Sequence, residues 1–452
     1  MIEFNNIKDM YFVGIGGIGM SSLAKYFHKK GLNVSGFDDN LTEITRQLEK
    51  QGILVENNFN YSQLSPNDST LIVYTPAIKP LHKVLKYFSD HNFKILKRAE
   101  VLGSLSKRTK TLAVAGTHGK TTTCSMLAHM LEYNNVKCTA FIGGVAKNFN
   151  NNFINNNDDL IIVEADEYDR TFLQLYPDVA VITSIDSDHM DVYKTFDNLK
   201  EAFVTFSDNV KTKGVLISNK KLGIDSSNTF SIKSKATYWI DNIEVQKNGV
   251  YKFDIHYQNE VLKDQKASLF GKHNISNFLA ALSVAHNCGL SIKQCMKSIH
   301  QYKGVKRRFE LHLNTKKYVL IDDYAHHPVE IINAINTTKE FFGDRKIMCV
   351  FQPHLYSRTK DYAVDFGDAL SLADELIVVD IYPAREKPIK GVSGGMLLNY
   401  SSNKVKMSCS KDELLQKIEL SKAEVFLILG AGDISEMVLP VKKMLQKKLK
   451  AA

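Results

Sequence analysis

A lysine and two threonines, Lys120-Thr121-Thr122, follow the glycine-bounded loop Gly116-Thr117-His118-Gly119. The apolar run Leu112–Ala115 precedes the loop, and a helical pattern over Thr123–Leu131 follows it. Strand, glycine turn and helix start make a seat for phosphate, because loop N–H groups and the helix N-terminus face anionic oxygens. Lys120 is placed to reach the β- and γ-phosphates of a nucleoside triphosphate, and the Thr121 hydroxyl to ligate Mg²⁺. The full pattern wants a further glycine at position 114, where Val114 stands, so this is a shortened variant. An ordinary left-handed turn is the alternative.

Two acidic bursts follow apolar strands downstream. Ile161-Ile162-Val163 ends in Glu164-Ala165-Asp166-Glu167-Tyr168-Asp169, and Glu164, the first acid after the strand, is expected to hold Mg²⁺ beside the phosphate loop. Thr183-Ser184-Ile185-Asp186-Ser187-Asp188-His189-Met190-Asp191 offers His189 as a neutral ligand or orienting group. Near the start of the sequence, Gly14-Ile15-Gly16-Gly17-Ile18-Gly19-Met20 has Gly-x-Gly-x-x-Gly spacing after a strand, with Asp38 and Asp39 about 20 residues further on. The spacing establishes a diphosphate-sized anion site and leaves the nucleotide open. Gly271-Lys272-His273-Asn274-Ile275-Ser276-Asn277 opens a helix, and its amides suit both an adenine edge and a helix cap. Arg307-Arg308-Phe309-Glu310, Asp322-Asp323-Tyr324-Ala325-His326-His327-Pro328, Gln352-Pro353-His354-Leu355-Tyr356-Ser357-Arg358 and Tyr382-Pro383-Ala384-Arg385 form a further polar set, and most of it directly follows strands. Its guanidiniums suit bidentate carboxylate binding. Gly430-Ala431-Gly432-Asp433 closes the last strand and also reads as a plain turn.

Short apolar strands alternating with amphipathic helices position these motifs from end to end, which predicts an α/β chain of mostly parallel sheets flanked by helices. At 452 residues, three domains are expected: a Rossmann-like one over 1–106, a P-loop ATPase-like one over 107–303 and a second Rossmann-like one over 304–452. Strands are expected at Asp9–Val13, Leu71–Thr75, Thr111–Ala115, Leu160–Val163, Val179–Ile185, Gly214–Ser218, Lys317–Ile321, Lys346–Phe351, Glu375–Val379 and Glu424–Leu429. The asparagine-rich Asn148–Asn157 reads as an exposed loop. A net charge of +9 is modest for this length and suits anionic small molecules; no basic block reads as a nucleic-acid arm, and Lys442–Lys450 reads as a solvated helix face. The six cysteines show no Cys-x-x-Cys pair and read as reduced, mostly buried thiols. With a glycine loop within the first fourteen residues and no apolar run long enough to span a bilayer, a cytoplasmic protein without membrane or nucleic-acid partners is expected.

This set of motifs resembles the Mur ligase family, cytoplasmic amide-bond ligases of peptidoglycan synthesis, through all three expected domains. Gly116–Thr122 is similar to the family's shortened phosphate loop, Glu164–Glu167 to its acidic metal motif, Asp188–Asp191 to its histidine motif, Gly271–Asn277 to its adenine-contacting segment, and Arg308 with Asp322–Pro328 to its third-domain residues. The resemblance implies ATP as co-substrate, Mg²⁺ or Mn²⁺, and a UDP-N-acetylmuramate carboxylate activated as an acyl phosphate, with domain closure excluding water. It implies catalytic roles for Lys120, Glu164, His189, Asp323 and His326, and metal contacts from Thr121, Glu164 and His189. ATP contacts would come from Gly116, Thr117, His118, Gly119, Lys120, Thr121, Thr122, His273, Asn274, Asn277, Arg308 and Asp323. UDP-sugar contacts would come from Gly14, Gly16, Gly17, Gly19, Met20, Asp38, Thr75 and His189, and amino-acid contacts from Tyr324, His327, His354 and Arg358. Within the family, Gly14–Met20 and Phe351-Gln352-Pro353-His354 look like the branch that takes L-alanine, with the branch that recycles a tripeptide as the alternative; a monomer or weak homodimer is expected. Leu355 stands where many members of that branch carry arginine, which leaves the carboxylate contact to Arg358, and Phe203 stands where other branches carry a carbamylated lysine. An NAD-dependent oxidoreductase would leave the 116–122 loop unexplained. A non-catalytic nucleotide-binding protein could lose Lys120, Thr121, Glu164, His189 and Asp323 without harm to its core.

Overall fold

Apolar runs in the first hundred residues form five strands: β1 (Asp9–Val13), β2 (Asn33–Phe37), β3 (Leu54–Glu56), β4 (Thr70–Tyr74) and β5 (Lys94–Lys97). They pair in the order β3-β2-β1-β4-β5, all parallel. Neighbours diverge in sequence at β1 and β4, so the carboxyl ends of these two strands flank the crevice where open α/β sheets take their ligands. Gly14 follows β1 and Thr75 follows β4. The computed structural model describes residues 4–59, 66–79, 81–156, 159–187, 190–246, 249–384 and 386–450, without the side chains at 5, 169 and 191.

The second sheet has ten strands: β6 (Lys110–Ala115), β7 (Thr139–Ala146), β8 (Asn151–Asn155), β9 (Leu160–Ala165), β10 (Val179–Ile182), β11 (Val215–Asn219), β12 (Asn228–Ile232), β13 (Tyr238–Gln246), β14 (Val250–Tyr257) and β15 (Glu260–Ser268), in the order β15-β14-β13-β12-β11-β10-β6-β9-β7-β8. Its centre, β10-β6-β9-β7, is parallel and almost wholly apolar, as a sheet covered on both faces must be. Val114 is fully buried within β6, so the strand runs one residue further and the turn starts only at Gly116. This accounts for the shortened loop.

The third sheet is β16 (Glu310–Asn314), β17 (Val319–Asp323), β18 (Ile347–Phe351), β19 (Glu375–Val379), β20 (Val405–Cys409) and β21 (Val425–Leu429), ordered β16-β17-β21-β18-β19-β20. Only β16 runs antiparallel to its neighbour. Each sheet alternates with helices, among them Ile18–Lys29, Lys120–Tyr133, Lys272–Asn287 and Pro328–Phe342. The chain divides into two compact units, one of residues 1–242, 253–265 and 276–303, the other of 243–252, 266–275 and 304–452. Among the described residues no helix is long and apolar enough to cross a membrane.

Two expectations are corrected. The strand expected over Val179–Ile185 stops at Ile182: the Thr183 N–H makes one more bond to the Ala115 carbonyl, and from there the Ser184 carbonyl and the Thr183 and Ser184 hydroxyls bond the phosphate loop. Within the stretch expected as an exposed loop over Asn148–Asn157, whose last residue lies outside the described ones, Asn151–Asn155 is strand β8, paired antiparallel with β7, and Asn152, Phe153 and Ile154 are buried. The Asn152 amide donates to the Ile18 carbonyl and the Ser22 hydroxyl at 2.7 Å each, and buried Lys25 donates to the amide oxygens of Asn151 and Asn152. Asparagine side chains carry hydrogen bonds across a buried contact here, which composition alone reads as surface.

Candidate active site

Gly116 and Gly119 shape the phosphate loop, and both need to be glycine. Gly116 has φ +133°, and a Cβ there would lie 2.1 Å from Thr183 Oγ1; Gly119, at φ +83°, would meet Asn277 Oδ1 at 2.2 Å. Behind the loop, Thr183 Oγ1 donates to the His118 carbonyl at 2.6 Å, and the Thr117 and Ser184 hydroxyls bond at 3.0 Å. The N–H groups of Thr117 and His118 donate to Ser184, each at 3.0 Å. These two amides therefore brace the loop, and the helix that begins at Lys120 supplies the anion-facing N–H groups from its first turn. Asn277, placed against Gly119, joins the loop from the helix Lys272–Asn287; His273 and Asn274 lie one turn earlier on that helix, where the Asn274 amide donates to the Phe270 carbonyl at 2.6 Å.

The charged groups gather at the carboxyl ends of β6 and β9. Lys120 Nζ donates to Glu167 Oε2 and to the Gly116 carbonyl, both at 2.7 Å. Burial alone would pull its pKa down, but the carboxylates of Glu167, Asp166 and Glu164 outweigh burial and hold the ammonium well above the usual lysine range. Thr121 Oγ1 donates to Glu164, 2.9 and 3.1 Å from its two oxygens, and the Gly143 N–H donates to Glu164 Oε2 at 2.8 Å. Burial raises the Glu164 pKa and Asp166 adds to it, while Lys120, Thr121 and Gly143 oppose the rise. A threonine hydroxyl and a carboxylate in contact at a phosphate loop are hard oxygen donors that fit Mg²⁺ or Mn²⁺. His189 and Asp188 lie outside the described residues, as does the Asp191 side chain. Asp186 is described; its N–H donates to Thr117 Oγ1 at 3.0 Å, and its carboxylate stands 3.7 Å from His118 Nε2.

At the first loop, the Gly16 N–H donates to Asp38 Oδ2 at 2.8 Å, so Asp38 braces the turn. Gly14 lies against Thr75, and Met20 is buried. The sequence reading passed over Arg98, whose guanidinium sits where a Cβ on Gly19 would be 2.8 Å from Nη1. Only its place straight after a strand could have signalled it.

In the second unit, β17 ends in two adjacent acids with different tasks. Asp323 accepts from the N–H groups of Phe309 and Ala325, both at 2.7 Å, and Asp322 is buried 3.7 Å from Arg307 Nε. Burial raises both, Asp322 to about 7 and Asp323 to about 6, against the pull of Arg307 and Arg308 respectively. The Arg307 and Arg308 guanidiniums each stand 5.1 Å from the Tyr324 ring centroid. Glu330 accepts from the His326 N–H at 3.0 Å and the His327 N–H at 3.3 Å, fixing the start of the helix Pro328–Phe342. His327 is buried at that cap against Tyr362, whereas His326, Tyr324 and His354 form an aromatic group, the two imidazoles 6.1 Å apart and His354 stacked on Tyr382. Arg358 lies on the helix Tyr356–Asp361 and helps, after two hydrogen bonds from Ser357, to hold Glu386 below the usual carboxylate range against burial. Arg385 lies outside the described residues.

A phosphate loop with its lysine, threonine and carboxylates at the carboxyl edge of a parallel sheet, in a chain that also carries two further α/β sheets, defines a nucleotide-dependent enzyme of the P-loop class. Three family models match in succession: "Mur ligase family, catalytic domain" over residues 9–110, "Mur ligase middle domain" over 114–285 and "Mur ligase, glutamate ligase domain" over 307–432. The chain belongs to the Mur ligase family. It is 44% identical to the UDP-N-acetylmuramate--L-alanine ligase of Flavobacterium psychrophilum, covering 99% of this chain and 100% of that one, and 43% identical to that of Porphyromonas gingivalis, covering 97% and 99%. The crystal structure of a UDP-N-acetylmuramate-alanine ligase from Thermotoga maritima superposes with a TM-score of 0.83 at 28% identity, covering 97% of this chain and 99% of that one. A murein peptide ligase from Psychrobacter arcticus shares the fold, with a TM-score of 0.69 at 22% identity over 96% and 98%.

Proposed function

We propose that this protein joins L-alanine to the carboxylate of UDP-N-acetylmuramate, with cleavage of ATP to ADP and phosphate. The observation that carries the reading is the end-to-end likeness to alanine ligases at 42–44% identity. A carboxylate oxygen attacks the γ-phosphorus, ADP leaves, the alanine nitrogen attacks the acyl carbon, and phosphate departs with the oxygen it received. Lys120 sets a positive charge beside the transferring phosphoryl group, and the first-turn N–H groups after Gly119 bind the phosphates. Thr121 and Glu164, with His189, would hold Mg²⁺ or Mn²⁺, which when bound neutralises polyphosphate charge. Asn277, His273, Asn274, Arg308 and Asp323 serve ATP; the Gly14–Gly19 loop, Met20, Asp38, Thr75 and Arg98 serve the UDP-sugar; Tyr324, His327, His354 and Arg358 serve the amino acid, with His326 in a catalytic role beside them.

The proposed division is 1–106 for the UDP-sugar, 107–303 for ATP and 304–452 for alanine, in a cytoplasmic monomer or weak homodimer that works on small molecules alone. The stretches matched by the three family models support it. Phosphate release with ATP, Mg²⁺ and UDP-N-acetylmuramate tests the reading. Turnover should be fastest with L-alanine as acceptor, ahead of glycine, L-serine and the tripeptide L-Ala-γ-D-Glu-diaminopimelate. Turnover with tripeptide alone overturns it.

A further inference from the structure

We propose that Glu167 is a positioning residue for Lys120: its buried carboxylate holds the lysine ammonium on the phosphate loop and away from Glu164. The proposal rests on the ligase reading above. Glu167 is fully buried and anchored at its backbone, where its carbonyl accepts from the Tyr193 hydroxyl at 2.6 Å and the Arg170 N–H at 2.9 Å. Tyr193 is itself fully buried, with the Arg170 guanidinium 5.4 Å from its ring centroid. The main chain at Glu167 is thus held in place, and its buried carboxylate accepts from Lys120 through Oε2. Its partner Lys120 places its other donors on loop carbonyls, Gly116 at 2.7 Å and Thr117 at 3.4 Å, so the ammonium is oriented by the loop and one acid.

Three carboxylates compete for that one cation, since Asp166 and Glu164 also act on Lys120. Glu164 is engaged by Thr121 and Gly143 as the proposed cation ligand. With the Glu167 charge gone, the carboxylates that still act on the ammonium among the described residues are Asp166 and Glu164, and a buried ion pair with Glu164 would occupy the ligand oxygens. Glu167 thus keeps two opposite tasks apart: a lysine for phosphate and a carboxylate for a cation.

A double-mutant cycle on the full chain tests this by Mn²⁺ binding, read from the free-ion electron paramagnetic resonance signal without nucleotide or turnover. Glu167→Gln should weaken Mn²⁺ binding by about fivefold more in the presence of Lys120 than in a Lys120→Gln background, because the competitor is then absent. Additive effects, as expected of a carboxylate acting only through space, overturn the proposal. Glu167→Asp keeps the charge and draws it back by one methylene. It should lower kcat roughly tenfold while Mn²⁺ affinity stays within about twofold; unchanged kcat also overturns it. Wild-type turnover with L-alanine is measured in parallel. If it is present and the cycle is additive, the positioning role alone fails; if it is absent, the ligase reading fails.

Discussion

Gly143→Ala isolates the geometry of the proposed cation ligand without removing any functional group. The Gly143 N–H donates to Glu164 Oε2, and a Cβ added at 143 would stand 2.4 Å from that oxygen and 2.8 Å from both Oε1 and Cδ. Ordinary van der Waals contact begins near 3.4 Å, so the carboxylate must retreat by about 1 Å. That movement stretches the Gly143 bond and the pair of contacts with Thr121. A hydrogen bond to a charged group contributes roughly 1.5–3 kcal/mol, and about 1 Å of misplacement at a reacting centre costs on the order of 100-fold in rate. The expected result is a fall in kcat of about 30- to 100-fold, read by phosphate release with L-alanine, together with a rise in the Mg²⁺ concentration for half-maximal rate. Because Gly143 is exposed, the melting temperature should change little. A variant with wild-type kcat and Mg²⁺ dependence would refute the assignment of Glu164 as the ligand held by β7.

Arg98→Ala should raise KM for UDP-N-acetylmuramate about tenfold or more with kcat nearly unchanged, as expected when a guanidinium beside Gly19 is lost from anion binding; an unchanged KM removes Arg98 from the site. Asn152→Ala deletes a buried amide that bridges to Ile18 and Ser22, and should destabilise the chain by roughly 1–3 kcal/mol in denaturant titration, whereas an exposed loop residue would cost nothing measurable. The raised pKa of Asp322 sets a direction with pH. The unfolded carboxyl ionises near 4 and the folded one only near 7, so the folded state binds more protons between these values and stability contributed by this group is lost as pH rises across that window. Asp322→Asn should therefore flatten the fall in melting temperature between pH 5 and pH 8; an unaltered slope would show that Asp322, with Arg307, Asp323 and Glu310 around it, does not titrate there.

The central strands were readable because a strand covered on both faces is a continuous apolar run, and the chemistry sits where such runs stop: Glu164 next to last in β9, Asp322 and Asp323 ending β17, Gln352 after β18. Residue types at those ends were informative since a buried sheet leaves its polar atoms to the carboxyl edge. Partners that act from elsewhere were not readable. Gly143 holds Glu164 through a backbone N–H, which no side-chain pattern announces, and Arg98 reaches Gly19 across 79 positions of sequence. Glu167 stood within a motif already singled out, yet choosing the first acid as ligand left the task of the last one unasked. The β8 strand was missed because asparagine is depleted in strands as a rule, and only the contact with Ile18, Ser22 and Lys25 reverses that preference.

The most direct test of the ligase account uses UDP-N-acetylmuramate labelled with ¹⁸O in its carboxylate. With ATP, Mg²⁺ and L-alanine, mass spectrometry should find one ¹⁸O in each phosphate released, in step with formation of the alanyl product, because the attacking oxygen leaves on the phosphate. Unlabelled phosphate, or phosphate released without an alanyl product, would contradict ligation through an acyl phosphate.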